Sequence, residues 1–477
     1  MSHRKLICGV LVLMLALTLS VGAADHPLKG KKIDMAVLGI GGWLPSRLGV
    51  DMSPLFAEYA KKNYGYDVSF SFAEAPFSAL FQKAASTLAT RSQEYNIIVS
   101  DSQWLGAFAE PGWIVKVSDL IAKYPELDID WYDDVVVNSY MEYPEGSGEY
   151  WGLPEEGDTI ALFVRTDLFG DPAEQKAFKE KYGWDLPQTF EDWEQVSMTA
   201  FEEIAEFFTR PDQDLYGTAM QYSKEYDFMT MYLYPFMFSM GGDIWDPKER
   251  KVYGILNSDV NAKGMEWNKN MLQYQPPGAV NYGIAEEIDA FTQDKIATAF
   301  QWAAVGLAMI TDKNRDKVMV VPPPGFKQAD GSLKRLYSIG GQPWVINAFN
   351  DEEHMTVAID FLKWWYLPET QLEFAKRGGN PCVKAVLEGE GFEDIQPWFK
   401  AFKYMLSTER SRDFWHEAKY SEMLAAQQEG FTAYATGQID DPKLGLEYAA
   451  CVQQKILFEA GRSEIAPPDS CKDVRLR

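Results

Sequence analysis

The sequence predicts an α/β protein built as two lobes, and three observations support it. Strand and helix patterns alternate as βαβαβ over the N-terminal part of the chain, which argues for a lobe with a mainly parallel sheet. The chain has 477 residues. About 450 remain once an N-terminal leader is set aside, and single cores stop growing at roughly 250–300. Residues 150–169, YWGLPEEGDTIALFVRTDLF, set an aromatic pair and a Gly-Leu-Pro turn ahead of three carboxylates and an apolar strand.

Taken in order, residues 1–24 read as a secretion signal. Arg4 and Lys5 form a short basic region, residues 6–19 an apolar run, and Val21-Gly22-Ala23-Ala24 a small-residue cleavage site. The run is shorter than the ~20 residues of a spanning helix. Cys8 precedes most of that run, which argues against a lipoprotein signal. An exported, soluble, periplasmic protein is expected. Losing Arg4 and Lys5 with the leader moves the net charge from −25 to −27. Such a chain repels nucleic acid and anionic lipid. With 46% hydrophobic and 24% charged residues, the composition is that of a globular protein. Beyond the leader stand Cys382, Cys451 and Cys471, an odd number. In an oxidising compartment Cys451 and Cys471 can staple the C-terminal tail and leave Cys382 free. The sequence leaves that pairing open.

Residues 32–38 form the first strand, closed by Gly39-Ile40-Gly41-Gly42. Residues 53–62 form a helix with Pro54 in its first turn, 68–72 the second strand, 76–90 a second helix and 96–100 a short third strand. After the turn at 150–158, strands and helices resume around 160–164, 192–208 and 216–221, with further helices at 259–273 and 285–293. A strand at 318–321 runs into Pro322-Pro323-Pro324, which favour extended backbone. A loop and strand follow at 338–347, then an amphipathic helix over 352–366 ahead of Pro368.

Several segments fall in a familiar order. Residues 96–101 (NIIVSD) lead to Trp104 and 109–120 (AEPGWIVKVSDL). Then come Tyr216-Gly217-Thr218-Ala219, Gly241-Gly242, and 291–297 (FTQDKIA) through Trp302. Gly340-Gly341 and 367–371 (LPETQ) complete the series. With the 150–168 turn, this order resembles the sugar-binding branch of family 1 extracellular solute-binding proteins. Asp294 and Thr298 depart from the glycine and methionine usual there. The resemblance implies the two-lobed periplasmic-binding-protein fold (type II, maltose-binding-protein-like), with a hinge and an interlobe ligand cleft. It places the crossings near Asp158 and Pro322, giving lobes of 25–158 plus 323–367 and 159–322 plus 368–477. It implies capture of a sugar or related polyhydroxy solute and delivery to the permease subunits of an ABC importer, by a monomer that closes on its ligand.

Sugars present apolar C–H faces and rims of hydroxyls, so a receptor needs aromatic plates and polar side chains. Trp302 matches the family's stacking position, and Trp43 follows the glycine-rich turn; core packing is the alternative for each. Asp158 matches a ligand-binding acid of the family, whereas Glu155 and Glu156 read as surface acids. Asp101 and Trp104 lie in the loop after the third strand, Glu74 follows the second, and Arg47 sits near the first loop. Gln221 and Tyr226 are expected to enter from the other lobe. Gly341 lets backbone approach a ligand closely, with Gln342 and Trp344 beside it. Arg377 can fork onto hydroxyls or a carboxylate, or serve a structural ion pair.

No catalytic machinery is evident, and no enzyme, cofactor or metal is expected. The glycine-rich turn lacks the third glycine of a dinucleotide fingerprint, since Leu44 stands there. G-x-S-x-G and P-loop motifs are missing, and His26, His354 and His416 are scattered. Two rivals remain: a cation or polyamine receptor of the same fold, and a secreted glycoside hydrolase using paired carboxylates.

Overall fold

The computed structural model describes residues 26–476, so the leader read at 1–24 lies outside the described residues. In chain order the strands are β1 (Lys32–Ile40), β2 (Asp67–Ala75), β3 (Ile97–Val99), β4 (Leu153–Arg165) and β5 (Thr298–Trp302). They continue as β6 (Val318–Val321), the hairpin β7 (Phe326–Lys327) and β8 (Leu333–Lys334), then β9 (Tyr337–Ile346) and β10 (Ser411–Arg412). An eight-stranded sheet runs β2-β1-β3-β9-β4-β5, with β6 on β4 and β10 on β9.

β1 is parallel to β2 and β3, as the early βαβαβ pattern demands. The sheet as a whole is mixed rather than mainly parallel, because β9 pairs antiparallel with β3 and β4, and β4 with β5 and β6. The cause is the path of the chain. β4 carries it out of the first half of the molecule and β9 carries it back, so the two crossing strands run in opposite senses. Residues 153–159 of β4 pair with β9, while residues 160–165 pair with β5 and β6. One strand therefore belongs to both halves.

All 13 residues of β4 are buried, which corrects the surface placement of Glu155 and Glu156. A register shift between Pro154 and Glu156 marks a bulge there, where the alternation of faces on which a surface reading relies breaks down. Glu155 accepts from the Ser46 hydroxyl at 3.3 Å and Glu156 from Trp43 Nε1 at 2.7 Å. The expected return near Pro322 falls elsewhere too. Met198 N donates to Gly325 O at 2.8 Å, and Arg335 Nη2 donates to Trp193 O at 3.4 Å and to Glu194 O. The β7–β8 hairpin packs through Phe326 on Phe236 and Trp267. These contacts hold 323–337 in the second half. The crossing lies within β9, where Gly340 faces Asp158 and Gly341 faces Gly157.

Residues 216–221, read as strand-like, form no strand of their own but lie beside β5. Tyr216 and Ala219 exchange backbone hydrogen bonds with Lys295, Ala297, Thr298 and Phe300. The helix Phe228–Ser239 is apolar all round and buried from Met229 onward, as a helix in the middle of a core must be. Tyr420–Ala435 and Pro442–Glu459 pack as a pair over the second half. Cys451 is bonded to Cys471 across a separation of 20 residues, and Cys382 is free and buried. Among the described residues no helix is long and apolar enough to cross a membrane.

Candidate functional site

Three groups of residues converge on a cavity of about 30 Å³ where β4 and β9 cross. The loops leaving β1, β2 and β3 supply Trp43, Phe77, Asp101 and Gln103. The crossing strands supply Asp158, Gly340, Gly341 and Gln342. The second half closes the other side with Tyr226, Asp227, Phe228, Met231, Ile284 and Trp302. A site at the carboxyl ends of parallel strands is where open α/β sheets bind ligands.

Each side chain is set by its element. Trp43 ends the turn after β1, and its Nε1 donates to Glu156 Oε1 at 2.7 Å and Gln342 Oε1 at 2.9 Å. Phe77 opens the helix Phe77–Ala89 after β2 and meets Trp43 edge-on at 5.6 Å. Trp302 ends β5, with its ring against the backbone of Gly340. Tyr226 holds φ at 51°, a left-handed conformation uncommon for a bulky residue. Its ring stacks on Phe77 at 5.4 Å, and its hydroxyl donates to the Asp101 carboxylate. This contact joins the two halves across the cavity. Asp158 Oδ1 accepts from Thr159 N at 2.8 Å and Ala304 N at 2.9 Å, while its Oδ2 is buried with no partner.

The electrostatics are those of acids without counter-charge. Burial pushes Asp158 and Asp227 well above the usual carboxylate range. It does the same for Glu156, with Asp158 and Glu155 adding to the effect. Burial also lifts Asp101 from 3.8 to about 7; the Tyr226 hydroxyl opposes the rise and nearby Asp413 adds to it. A raised folded-state value means the folded protein keeps a proton that the unfolded chain has lost. Its stabilising contribution is therefore complete below about pH 4 and is lost as pH climbs through about 7. The melting temperature should fall between about pH 4 and 7, and Asp101→Asn should flatten that fall while raising stability at pH 8. Melts of both proteins across that range check this; parallel slopes would show that Asp101 is not the group responsible.

Seven of the thirteen residues expected from the sequence thus share the cavity: Trp43, Asp101, Asp158, Tyr226, Trp302, Gly341 and Gln342. The other six stand off it. Arg47 is exposed and pairs with Asp51 at 3.0 Å and Glu74 at 3.3 Å, so Arg47 and Glu74 neutralise each other at the surface. Arg377 is exposed and engaged by Glu373 at 2.8 Å, one helical turn away. Trp104 is fully buried beneath Tyr226, in edge contact at 6.2 Å. Trp344 points into the core against Phe361 and Trp365. Gln221 lies in a buried network, donating to Tyr232 Oη at 2.9 Å and Gln301 Oε1 at 3.1 Å.

Sequence reading missed Phe77, Gln103, Asp227, Phe228, Met231, Ile284 and Gly340. Signals existed for five, since Gly340 stands beside the chosen Gly341 in the Gly-Gly pair. Phe77 follows Pro76 at a helix start, Gln103 sits between two chosen residues, and Asp227-Phe228 directly follow Tyr226. Met231 and Ile284 reach the cavity only through tertiary packing.

A family model described as bacterial extracellular solute-binding protein matches residues 46–372. Among solved structures, a ribitol-bound ABC transporter solute-binding protein from Agrobacterium radiobacter is 21% identical, with 90% of this chain and 100% of that chain covered at a TM-score of 0.71. Maltose-bound MalE3 of T. maritima is 19% identical over 90% and 100%, at 0.69. An ABC transporter solute-binding protein of Thermotoga lettingae, bound with alpha-D-tagatose, is 16% identical over 90% and 100%, at 0.69. These likenesses show a two-lobed, maltose-binding-protein-like fold.

Proposed function

We infer a function from one premise: this chain belongs to the bacterial extracellular solute-binding protein family. It is a solute-binding protein, and we propose that its solute is a sugar or polyol captured between the lobes and handed to an ABC importer. The observation that carries the reading is the cavity at the β4–β9 crossing, where Trp43 and Trp302 stand among carboxyl and amide groups contributed by both halves. Aromatic faces suit sugar C–H surfaces, and the polar groups suit hydroxyl rims. On this reading the protein works outside the cytoplasm as a monomer, without cofactor or turnover. A thermal-shift screen with ribitol, D-tagatose, maltose and related compounds tests it. A true ligand at 100 times its dissociation constant should stabilise the native state by about 2.7 kcal/mol. Release of product from a glycoside would overturn the non-enzymatic reading.

The cavity of about 30 Å³ is far smaller than an ordinary ligand pocket, which supports reading this arrangement as the closed one. Ligand entry therefore requires the lobes to part, with β4 and β9 as the hinge. Small-angle scattering should give a larger radius of gyration for the free protein than for the saturated complex. An unchanged radius at saturation would rule out closure on the ligand.

A further inference from the structure

The cavity brings together three carboxyl groups, Asp101, Asp158 and Asp227, and none of its lining residues is basic. Two of the three lie in the second half or at its boundary, so closing the lobes packs them towards Asp101. The basic group reached by this network, His416, is held by Asp413 at 3.0 Å, and Asp413 is separated from the cavity by Gln103, which donates to it at 2.8 Å. Asp158 is fully buried, lines the cavity and leaves Oδ2 without a hydrogen-bond partner. Among the described residues no group of three or more His, Cys, Asp or Glu side chains is placed to hold a metal ion.

A neutral sugar would meet such a site at a disadvantage. Its hydroxyls can hydrogen-bond to a carboxyl group but cannot offset the cost of ionising several carboxyl groups out of water. An ammonium group can do both, and the cavity is lined by the aromatic rings of Trp43, Phe77, Tyr226, Phe228 and Trp302, side chains of the kind that attract a cation. We propose that the solute is a polyhydroxy compound carrying a protonated amine, such as an amino sugar or amino polyol, with the ammonium directed at Asp158. This rests on the carbohydrate reading above and narrows it. The raised values of Asp158 and Asp227 agree with it, since both describe a site lacking the positive charge a ligand would bring.

The test compares matched compounds by calorimetry on the intact protein. D-Glucosamine is set against D-glucose and N-acetyl-D-glucosamine, 1-amino-1-deoxy-D-sorbitol against D-sorbitol, and spermidine is included alone. At least one amine should bind tenfold or more tightly than its neutral counterparts, and Asp158→Asn should reduce that preference below threefold. Asp227→Asn serves as a second variant if the first melts abnormally. A neutral parent binding as tightly as its amine overturns this inference and leaves the carbohydrate reading standing. A response to spermidine with none to any polyhydroxy compound overturns both. Silence from both polyhydroxy amines overturns the inference whether or not a neutral sugar responds.

Discussion

Replacing Trp302 by alanine should remove about 3–5 kcal/mol of folding stability, the usual loss for a truncated core tryptophan, and lower ligand affinity at least tenfold. The residue occupies both settings that the sequence presented as alternatives, the core and the cavity wall. It is only 6% exposed and forms the last pair of β5 with β4, opposite Ile160. It also lines the cavity and lies so close to Gly340 that a Cβ there would sit 2.7 Å from its ring. Truncation therefore opens a void behind the crossing strands and removes a plate from the site. Denaturant unfolding without ligand, beside calorimetry with a ligand identified by screening, separates the two losses. A stability change under 1 kcal/mol would mean that the ring is covered only when the lobes are shut. Undiminished affinity would take Trp302 out of the site.

Gly341→Ala should cost about 2–5 kcal/mol, combining a left-handed backbone penalty of roughly 1–2 with overpacking of roughly 1–3. The residue sits at φ +95°, and an added methyl would lie 2.6 Å from the carbonyl oxygen of Glu156 and 2.7 Å from the Tyr140 hydroxyl. The first of these is backbone in the neighbouring hinge strand and cannot swing aside. Gly42→Ala is the control, because Gly42 is also at positive φ (+78°) but faces open space. It should lose only the conformational part, about 1 kcal/mol. Equal losses at the two positions, measured by denaturant unfolding, would show that β9 yields to the methyl group.

The outline of the first lobe was legible because its signals are local. β1, β2 and β3 and the helices Ser53–Asn63 and Phe77–Ala89 follow from apolar runs and from prolines at helix starts, each within a few residues of its expected place, whereas the helix Leu44–Asp51 carried no expectation. Trp302 and Asp158 were legible through resemblance, since neither stands out in composition. Strand partners were not legible. Nothing near Glu155-Glu156 announces that β4 has neighbours on both edges and a bulge that buries two consecutive acids. The three prolines at 322–324 looked like a crossing because they interrupt a strand, yet Gly325, accepting from Met198, and Arg335, donating to Trp193 O, tie that stretch to the second half. Arg47 and Arg377 read as candidate ligand contacts from their loops, but each has an acid within reach along or beside its own helix. Such neutralisation is decided by side-chain geometry that a linear pattern does not contain.

The sharing of β4 and β9 between the lobes also governs the order in which the molecule can assemble. β3 has β1 on one edge and β9 on the other, and Val99 waits for Trp344, some 245 positions later in the chain. Until that stretch is available, the first lobe has an incomplete sheet, with β3 presenting an unpaired edge of the kind that recruits foreign strands. Contacts of such long sequence separation close late and slow the search for the native state. Neither lobe can finish as an independent N-terminal or C-terminal unit, so the two strands proposed as the hinge delay completion of folding.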